Sequence, residues 1–490
     1  MYRRITVTTA PATTQLKQTL PSNDRLVIGT LLVAAFVMIL NETIMGVALP
    51  RLMTDLAISP STAQWLTTAF LLTMAVVIPT TGFLLQRLST RAVFLSAMGL
   101  FCSGTLLAGV APGFWLLLGA RIVQASGTAI MLPLLMTTIL TLVPPDRRGA
   151  VMGNVSIVIS VAPAIGPTLS GLILQFLPWR FMFLLVLPIA LAALLYGLRR
   201  LVSVGEPGSQ LLDVVSVLLS IPAFGGIVFG LSRVGEARTG SQLAVAIGSL
   251  VVGVVCLGLF VWRQIALQSR GYPLLDLRVF RFPMFRLGVA LLAITMMGLF
   301  GVIILLPLYL QNVRGLGSLA TGLLLLPGGL LMGLLAPTVG KIFDRHGPRA
   351  LATTGASLMT LTLWLFSTVT STTPIWLLIG LHMVLSLGLA CLFTPAFTSA
   401  LNPLPPRLYS HGSATLTTLQ QVAGAAGAAL LVAVLAARTL TLTDAGVAEM
   451  AATSVGLHAA FRVATGIGAV AVVLAVLMRA SNPVDDSDGH

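Results

Sequence analysis

Long apolar runs, separated by short polar breaks, fill almost the whole chain. A helix needs roughly 20 apolar residues to cross a bilayer core, and runs of this length recur between breaks that contain Gly, Pro or charged residues. The pattern predicts an all-α membrane protein with fourteen transmembrane helices. The predicted spans are 26–49, 62–85, 92–111, 114–141, 150–176, 181–198, 212–232, 242–262, 286–311, 318–340, 350–369, 374–399, 413–437 and 458–478.

The composition of the chain agrees with a membrane location. Hydrophobic residues make up 57% of the 490 residues and charged residues only 9%, whereas soluble domains carry about 25% charged residues. The formal net charge is +14, but the basic residues stand one or two at a time beside apolar runs. This scatter does not form the continuous basic face that binds nucleic acid.

The loops between the predicted helices indicate how the chain crosses the membrane. Cytoplasmic loops carry an excess of Lys and Arg. With fourteen spans both termini lie on one side, which holds twenty of the Lys and Arg residues, while the other side holds seven. We therefore expect a multi-pass protein of the cell membrane with both termini in the cytoplasm. The preference for Arg over Lys suggests a bacterial source.

A short repeat divides the chain into two halves. The loops after the second and the tenth predicted helix carry matching residues at identical spacing, namely Gly82, Gln86, Arg87 and Arg91, and Gly340, Asp344, Arg345 and Arg349. Two repeated halves around a central site are a common plan of secondary transporters. The predicted organisation is a tail at 1–24, a six-helix half at 25–200, two extra helices at 201–265, a second six-helix half at 266–480 and a tail at 481–490.

These repeated loops are candidate gates at the cytoplasmic side. Acids are favoured at helix N-termini and cations at helix C-termini, so the loop charges can hold helix ends together. The alternative is that the basic residues only anchor the loops in the cytoplasm, which would not require Asp344.

Glu42 is the acid placed deepest in a predicted span, because the other thirteen acidic residues fall in tails, in loops or near helix ends. An ionisable group at depth costs about 2.5 to 3.5 kcal/mol on insertion scales, so its first interpretation is functional. Glu42, beside Asn41, is therefore the candidate proton carrier. The alternative is a permanently paired carboxyl group that only fixes helix packing.

Arg121 lies deep in the fourth predicted span, with Gln124 almost one turn further on the same face. A fixed cation here can favour proton release from a nearby carboxyl group and so couple protons to transport. The alternative is a structural arginine that binds backbone carbonyls. His382, inside the twelfth span, is a weaker candidate for a proton site, since a lone histidine in a span more often packs.

The fifth predicted helix contains APAIGPTLSG, with Gly166, Pro167 and Gly171. Small residues allow close helix approach and prolines weaken the backbone ladder, so this helix can pack tightly and still bend. An ordinary Gly- and Pro-rich membrane helix would look the same in isolation.

Enzymatic chemistry is not indicated by any motif. The chain lacks a Gly-x-x-x-x-Gly-Lys-Ser/Thr loop for nucleotides, and its five histidines do not form a metal or haem pattern. We expect no metal and no cofactor, and a proton gradient as the energy source.

Seven segments of the chain are distinctive when taken together: LNETIMGVALP, RIVQASGTA, APAIGPTLSG, PWRFMFLLVLP, PLYLQNVRG, TGLLLLPGG and SHGSATLTTLQQVAGAAG. They resemble the fourteen-helix drug/proton antiporters of the major facilitator superfamily, of the multidrug and lincomycin-resistance type. The resemblance covers nearly the whole chain. It implies alternating access, export of an amphipathic substrate and proton exchange, with Glu42 as proton carrier, Arg121 and Gln124 for coupling, and Gly166, Pro167 and Gly171 in the helix that prevents leak.

Two positions depart from the family pattern. Asn41 stands where relatives often have Asp, and the acid follows at Glu42, which is expected to point about 100° away from the usual face. Gln86 replaces the usual Asp of the loop after the second helix, so the latch is expected to depend mainly on Asp344.

Other functions are compatible with the same layout. A proton-coupled importer of a metabolite is the alternative within transport, and a membrane receptor or scaffold without transport is the alternative from another class. We expect small amphipathic substrates, protons and lipids as partners, no nucleic acid, and a monomer. Trp65 and Phe70 are weak candidates for the substrate cavity, since such cavities use adaptable aromatic side chains.

Overall fold

The computed structural model describes residues 21–201, 203, 213–234, 239–269 and 273–479. In these ranges the regular elements are all helical, which confirms the predicted all-α fold class. Residues 1–20 of the first predicted tail, residue 480 and the whole second predicted tail, 481–490, lie outside the described ranges.

The helices follow the predicted spans in order. We number them α1 (Ser22–Asp55), α2 (Pro60–Arg87), α3 (Thr90–Gly109), α4 (Phe114–Leu142), α5 (Arg148–Phe176), α6 (Val186–Arg200, after a helical turn Phe181–Leu184), α7 (Val214–Ser220 and Gly226–Val234, joined by a π turn Ile221–Gly225), α8 (Gly240–Gln268), α9 (Pro283–Leu308, continued by a π turn Tyr309–Val313), α10 (Ser318–His346), α11 (Pro348–Phe366), α12 (Ile375–Leu401), α13 (Tyr409–Asp444) and α14 (Glu449–Val476). The end of the bundle at which α1 begins and α14 ends is called the terminal end.

Thirteen helices of the described ranges are long and apolar enough to cross a membrane. The remaining predicted span, 350–369, coincides with helix α11, whose Arg349 and several threonines lower its hydropathy. It packs between α12 and α14, so neighbouring helices cover part of its polar surface.

The last two helices differ most from the predicted boundaries. Helix α13 continues to Asp444 and α14 begins at Glu449, whereas the predicted spans end at 437 and begin at 458. Arg438 and Glu449 are therefore helical, and both are exposed. The apolar run was taken to end before Arg438, but a long exposed side chain can extend along a helix to reach water.

The two halves face each other along two pairs of helices. Helix α5 packs against α10, and α2 packs against α13. Of the inserted pair, α7 packs against α2 and α13, and α8 packs on α7. Within this pair the backbones approach closely, since a Cβ atom at Gly253 would lie 2.7 Å from the backbone nitrogen of Ile227.

Candidate functional site

A buried polar cluster lies between α1, α3 and α4. The guanidinium of Arg121 is fully buried, and its Nη1 donates to Gln124 Oε1 at 2.7 Å and to Asn41 Oδ1 at 3.3 Å. The Gln124 amide in turn donates to Thr105 Oγ1 at 2.8 Å. The Phe70 ring covers the guanidinium, with its centroid 4.0 Å from Arg121 Cζ. The predicted pair Arg121 and Gln124 is thus joined by a hydrogen bond. Asn41 accepts a second hydrogen bond from Arg121, and Phe70 packs on its guanidinium.

This cluster leaves part of Arg121 without a partner. Its Nε and Nη2 atoms are buried and have no hydrogen-bond partner among the described residues. An unsatisfied buried donor costs about 1 to 3 kcal/mol, and more on a charged group. The cluster can therefore gain free energy by binding a further acceptor, such as a carboxylate, a water molecule or a polar group of a substrate.

Glu42 is the acidic residue that lies within electrostatic reach of Arg121. Its side chain is half-buried on α1, and it interacts electrostatically with Arg121 without a salt bridge to it. Asn41, one residue earlier, takes the direct contact with Arg121. Successive helical residues point about 100° apart, so Glu42 and Asn41 lie on different faces of α1.

Helix α5 packs against α1 beside this acid. A Cβ atom at Gly166 would overlap the Thr43 hydroxyl, so α1 and α5 touch at the residue next to Glu42. Pro167 is half-buried in the same turn. Gly171 lies on another face, where a Cβ atom would meet Leu319 of α10 at 3.6 Å. The predicted motif therefore contacts α1 on one side and the second half on the other.

Small residues line the whole contact between α5 and α10. At each close approach at least one residue is glycine or alanine; backbone meets backbone at the first two pairs below, and a side chain packs on the glycine backbone at the other three. The pairs, from the terminal end onward, are Gly149 with Gly340, Gly153 with Ala336, Val161 with Gly333, Ala164 with Gly329, and Thr168 with Gly322.

At the terminal end Asp344 joins the two halves. Its Oδ1 accepts a hydrogen bond from the Gly149 backbone nitrogen, and its Oδ2 from that of Ala150, both at 2.9 Å. The carboxylate thus lies at the N-terminus of α5, where unpaired N–H groups and the helix dipole favour a negative charge.

Arg148 makes a second cross-half contact at this end. Its side chain is buried and donates to Asn402 Oδ1 at 3.0 Å and to the Tyr409 hydroxyl at 2.9 Å. It also donates to the carbonyl oxygens of Leu140 and Val143 in its own half. The sequence analysis treated Arg148 only as a loop charge. The signal that could have found it is the Pro-Pro pair that each loop carries, ending three residues before Arg148 in one half and three residues before Tyr409 in the other.

Hydroxyl pairs continue this closure toward the membrane centre. Thr137 of α4 pairs with Ser413 of α13 at 2.7 Å, and Ser156 of α5 with Thr394 of α12 at 2.9 Å. The described conformation is therefore closed at the terminal end.

The other predicted gate residues are distributed over this end. Gly82 faces His411, and Gln86 Nε2 donates to the Arg407 carbonyl at 3.2 Å. The Arg91 guanidinium donates to the Leu198 carbonyl within the first half. Arg87, Arg345 and Arg349 are exposed.

The weak cavity candidates lie apart from the polar cluster, except Phe70. Trp65 stacks on Phe229 of α7, with centroids 5.9 Å apart, so the inserted pair covers it. His382 packs against Gly328 of α10, and its Nδ1 is buried without a described partner. No group of three or more His, Cys, Asp or Glu residues that could hold a metal ion occurs among the described residues.

Comparison with known proteins gives a family match over most of the chain. The family model described as Major Facilitator Superfamily matches residues 31–428. The lincomycin resistance protein LmrB of Bacillus subtilis is 43% identical over 408 residues, 83% of this chain and 85% of the relative. LmrB of Listeria monocytogenes is 42% identical over 411 residues, 84% of this chain and 86% of the relative.

A solved structure shares the fold at low sequence identity. The crystal structure of the human organic anion transporter MFSD10 aligns with a TM-score of 0.63 and 16% identity, over 93% of this chain and all of that chain.

Proposed function

The chain belongs to the Major Facilitator Superfamily, as predicted, and on this premise we propose that it exports drugs in exchange for protons. It is a transporter and not an enzyme. Its relatives are named as lincomycin resistance proteins, and a membrane transporter confers resistance by moving the drug out of the cell. Lincomycin and other amphipathic drugs are therefore the proposed substrates.

The distribution of Lys and Arg residues indicates which end of the bundle faces the cytoplasm. The predicted loops on the side of the two termini carry twenty Lys and Arg residues and the opposite loops seven, so we place the terminal end in the cytoplasm by the positive-inside rule. The described conformation, closed at that end by Asp344 and Arg148, is then the one that releases drug to the outside.

One observation supports proton coupling above the others. Glu42 is an unpaired acid in the interior of the bundle, within electrostatic reach of Arg121, whose Nε and Nη2 lack partners. A proton on Glu42 removes the attraction between the two groups. A deprotonated Glu42 restores it, so binding and release of a proton can shift the packing of α1 against α4.

A single acid of this kind predicts a low proton stoichiometry. One charge that moves down about 100 mV supplies roughly 2.3 kcal/mol. A monomer with one proton per cycle can therefore support only a modest drug gradient. No cofactor is needed for this cycle.

The test is efflux of lincomycin and of a fluorescent lipophilic cation from cells and inverted vesicles. Wild type is compared with Glu42→Gln at matched expression, and with Glu449→Gln, an exposed acid at the start of α14, as control. We expect wild type and Glu449→Gln to transport until an uncoupler is added, and Glu42→Gln to lose transport.

Two results would contradict the proposal. Uptake instead of efflux, or no flux of either substrate in wild type, would remove the drug-export function. Uncoupler-sensitive flux of Glu42→Gln at the wild-type rate would keep export but move the proton site to another residue.

A further inference from the structure

Gln124 and Phe70 fix the plane of the Arg121 guanidinium. Its Nη1 donates to Gln124 Oε1 at 2.7 Å, and the Phe70 ring covers one face, with its centroid 4.0 Å from Arg121 Cζ. A guanidinium group is planar, so one anchored corner and one covered face determine where its other N–H groups point. The Nε and Nη2 atoms, which have no partner in the described part of the chain, are thereby held in a fixed direction.

The hydrogen bonds around Gln124 can run in only one direction. Arginine has donors only, so the oxygen of the Gln124 amide must face Arg121 and the nitrogen must face away from it. That nitrogen donates to Thr105 Oγ1 at 2.8 Å. The Thr105 hydroxyl uses its one proton on the Phe101 carbonyl at 2.6 Å, so Thr105 offers Gln124 an acceptor and no donor. This is the orientation of the amide that Arg121 requires.

Thr105 lies on the helix that gives α4 its firmest support. Helix α4 packs more extensively on α3 than on α1. A Cβ atom at Gly104, next to Thr105, would lie 2.6 Å from the Gln124 backbone nitrogen, so the backbones of α3 and α4 touch at this level. Thr105 and Gln124 are both fully buried. By contrast, α1 reaches Arg121 through the longer hydrogen bond to Asn41, at 3.3 Å. Helices α3 and α4 therefore form a platform from which Arg121 faces α1.

We propose that Thr105 is a positioning residue for proton coupling. It supplies the acceptor that holds the Gln124 amide, and through Gln124 it keeps the Arg121 guanidinium aligned toward α1, the helix of Glu42. The role in coupling rests on the proton-driven export proposed above. The link from Thr105 to Gln124 rests on the hydrogen bonds alone.

The test separates the hydroxyl group of Thr105 from its volume. Thr105→Val keeps the shape of the side chain without an acceptor, whereas Thr105→Ser keeps the acceptor and loses a methyl group. Proton-driven transport of lincomycin is measured in inverted vesicles at matched expression. We expect Thr105→Val to transport about tenfold more slowly than wild type, as an unsatisfied buried donor predicts, and Thr105→Ser to stay near the wild-type rate. A residue that only packs would give the opposite order.

Thr295→Val is the matched control. Thr295 of α9 is also fully buried, and its hydroxyl also donates to a carbonyl four residues earlier in its own helix. In the described part of the chain it accepts no hydrogen bond from another side chain, so this variant should transport at the wild-type rate. If Thr105→Val does not fold, Thr105→Ala is compared with Thr105→Ser, since these two differ only in the hydroxyl group.

Unfolding midpoints test the same link without transport. Gln124→Leu has no amide N–H group that needs an acceptor. Thr105→Val should therefore lower the midpoint in the wild-type background and hardly change it in the Gln124→Leu background. Equal decreases in the two backgrounds would mean that Thr105 does not act through Gln124, and the proposal would be wrong.

Transport gives a second way to overturn the proposal. It is wrong if Thr105→Val moves lincomycin at the wild-type rate, or if Thr105→Ser is slower than Thr105→Val. Absence of flux in wild type would instead remove the export function, and the coupling role with it, while the midpoints would still decide whether Thr105 holds Gln124.

Discussion

Arg148 and Tyr409 occupy equivalent positions in the two halves and bond to each other. Each is the first residue of its helix, after a 3₁₀ turn that begins at a proline, Pro145–Arg147 in one half and Pro406–Leu408 in the other. Arg148 Nη2 donates to the Tyr409 hydroxyl at 2.9 Å, and its Cζ lies 5.1 Å from the ring centroid. The halves thus meet at matching points of the repeat.

Substitution of Arg148 should open the terminal end. Arg148→Lys keeps the charge, but an ammonium cannot reach Asn402, Tyr409 and two backbone carbonyls at once. We expect the closed state to lose about 1 to 3 kcal/mol. Ser160→Cys is the reporter, because the Ser160 hydroxyl bonds only to carbonyls of its own helix, one turn beyond Ser156; in a chain without other cysteines, an impermeant thiol reagent added to inverted vesicles should label it faster. Arg345→Lys, at an exposed position, is the control. Equal labelling of the two variants would show that Arg148 does not hold the closure.

The α5–α10 contact should be sensitive to one methyl group. Gly340→Ala places a Cβ atom against the Gly149 carbonyl, whereas Gly99→Ala on α3 meets nothing within 4 Å. Both changes raise helix propensity by about 1 kcal/mol, so their difference isolates the clash. Thermal unfolding in detergent should show a lower midpoint for Gly340→Ala only. A midpoint unchanged from wild type would mean that α10 can move away freely.

The Arg121 cluster should depend on the Gln124 amide. Gln124→Leu removes the 2.7 Å acceptor of Arg121 and the donor to Thr105. We expect a loss of about 1 to 3 kcal/mol of stability, read as a lower unfolding midpoint, together with weaker drug efflux. Ser126→Ala is the control, since the hydroxyl of Ser126 bonds only to the Ile122 carbonyl of the same helix, and it should behave as wild type. If Gln124→Leu matches it, Arg121 is satisfied by other groups.

The inserted pair should be anchored at every physiological pH. Asp213 binds Arg263 through two hydrogen bonds of 2.7 Å, and the hydrogen bond from Arg263 is the main cause that lowers the pKa of Asp213 to about 2. A lowered carboxyl pKa contributes stability above the ordinary value of 3.8, and this contribution disappears as pH falls toward 2. The midpoint difference between wild type and Asp213→Asn should therefore stay constant from about pH 5 to pH 8. A difference that shrinks toward pH 5 would contradict this.

The helices were predictable because each span is encoded locally. Runs of apolar residues and their Gly, Pro and charged breaks lie next to one another in sequence, so thirteen membrane-spanning helices appear near their predicted positions. Boundaries failed where helices extend beyond the apolar run, as at Asp444 and Glu449.

The candidate site was predictable only in part. Arg121 and Gln124 lie three residues apart on one helix, so their contact follows from helical spacing. Arg148 and Asn402 are separated by 254 residues, and nothing local in the sequence relates them. The position of Trp65 against Phe229 depends on where the inserted pair docks, which spacing along the chain does not specify.

The backbone contact between α5 and α10 divides the chain into positions that can vary and positions that cannot. Two helices that meet through glycine and alanine approach so closely that a larger side chain has no room at the contact. A change of substrate is then expected to come from substitutions elsewhere in the bundle, since this contact does not depend on what is carried. Directed evolution toward another drug is expected to leave Gly149, Gly153, Gly333 and Gly340 untouched.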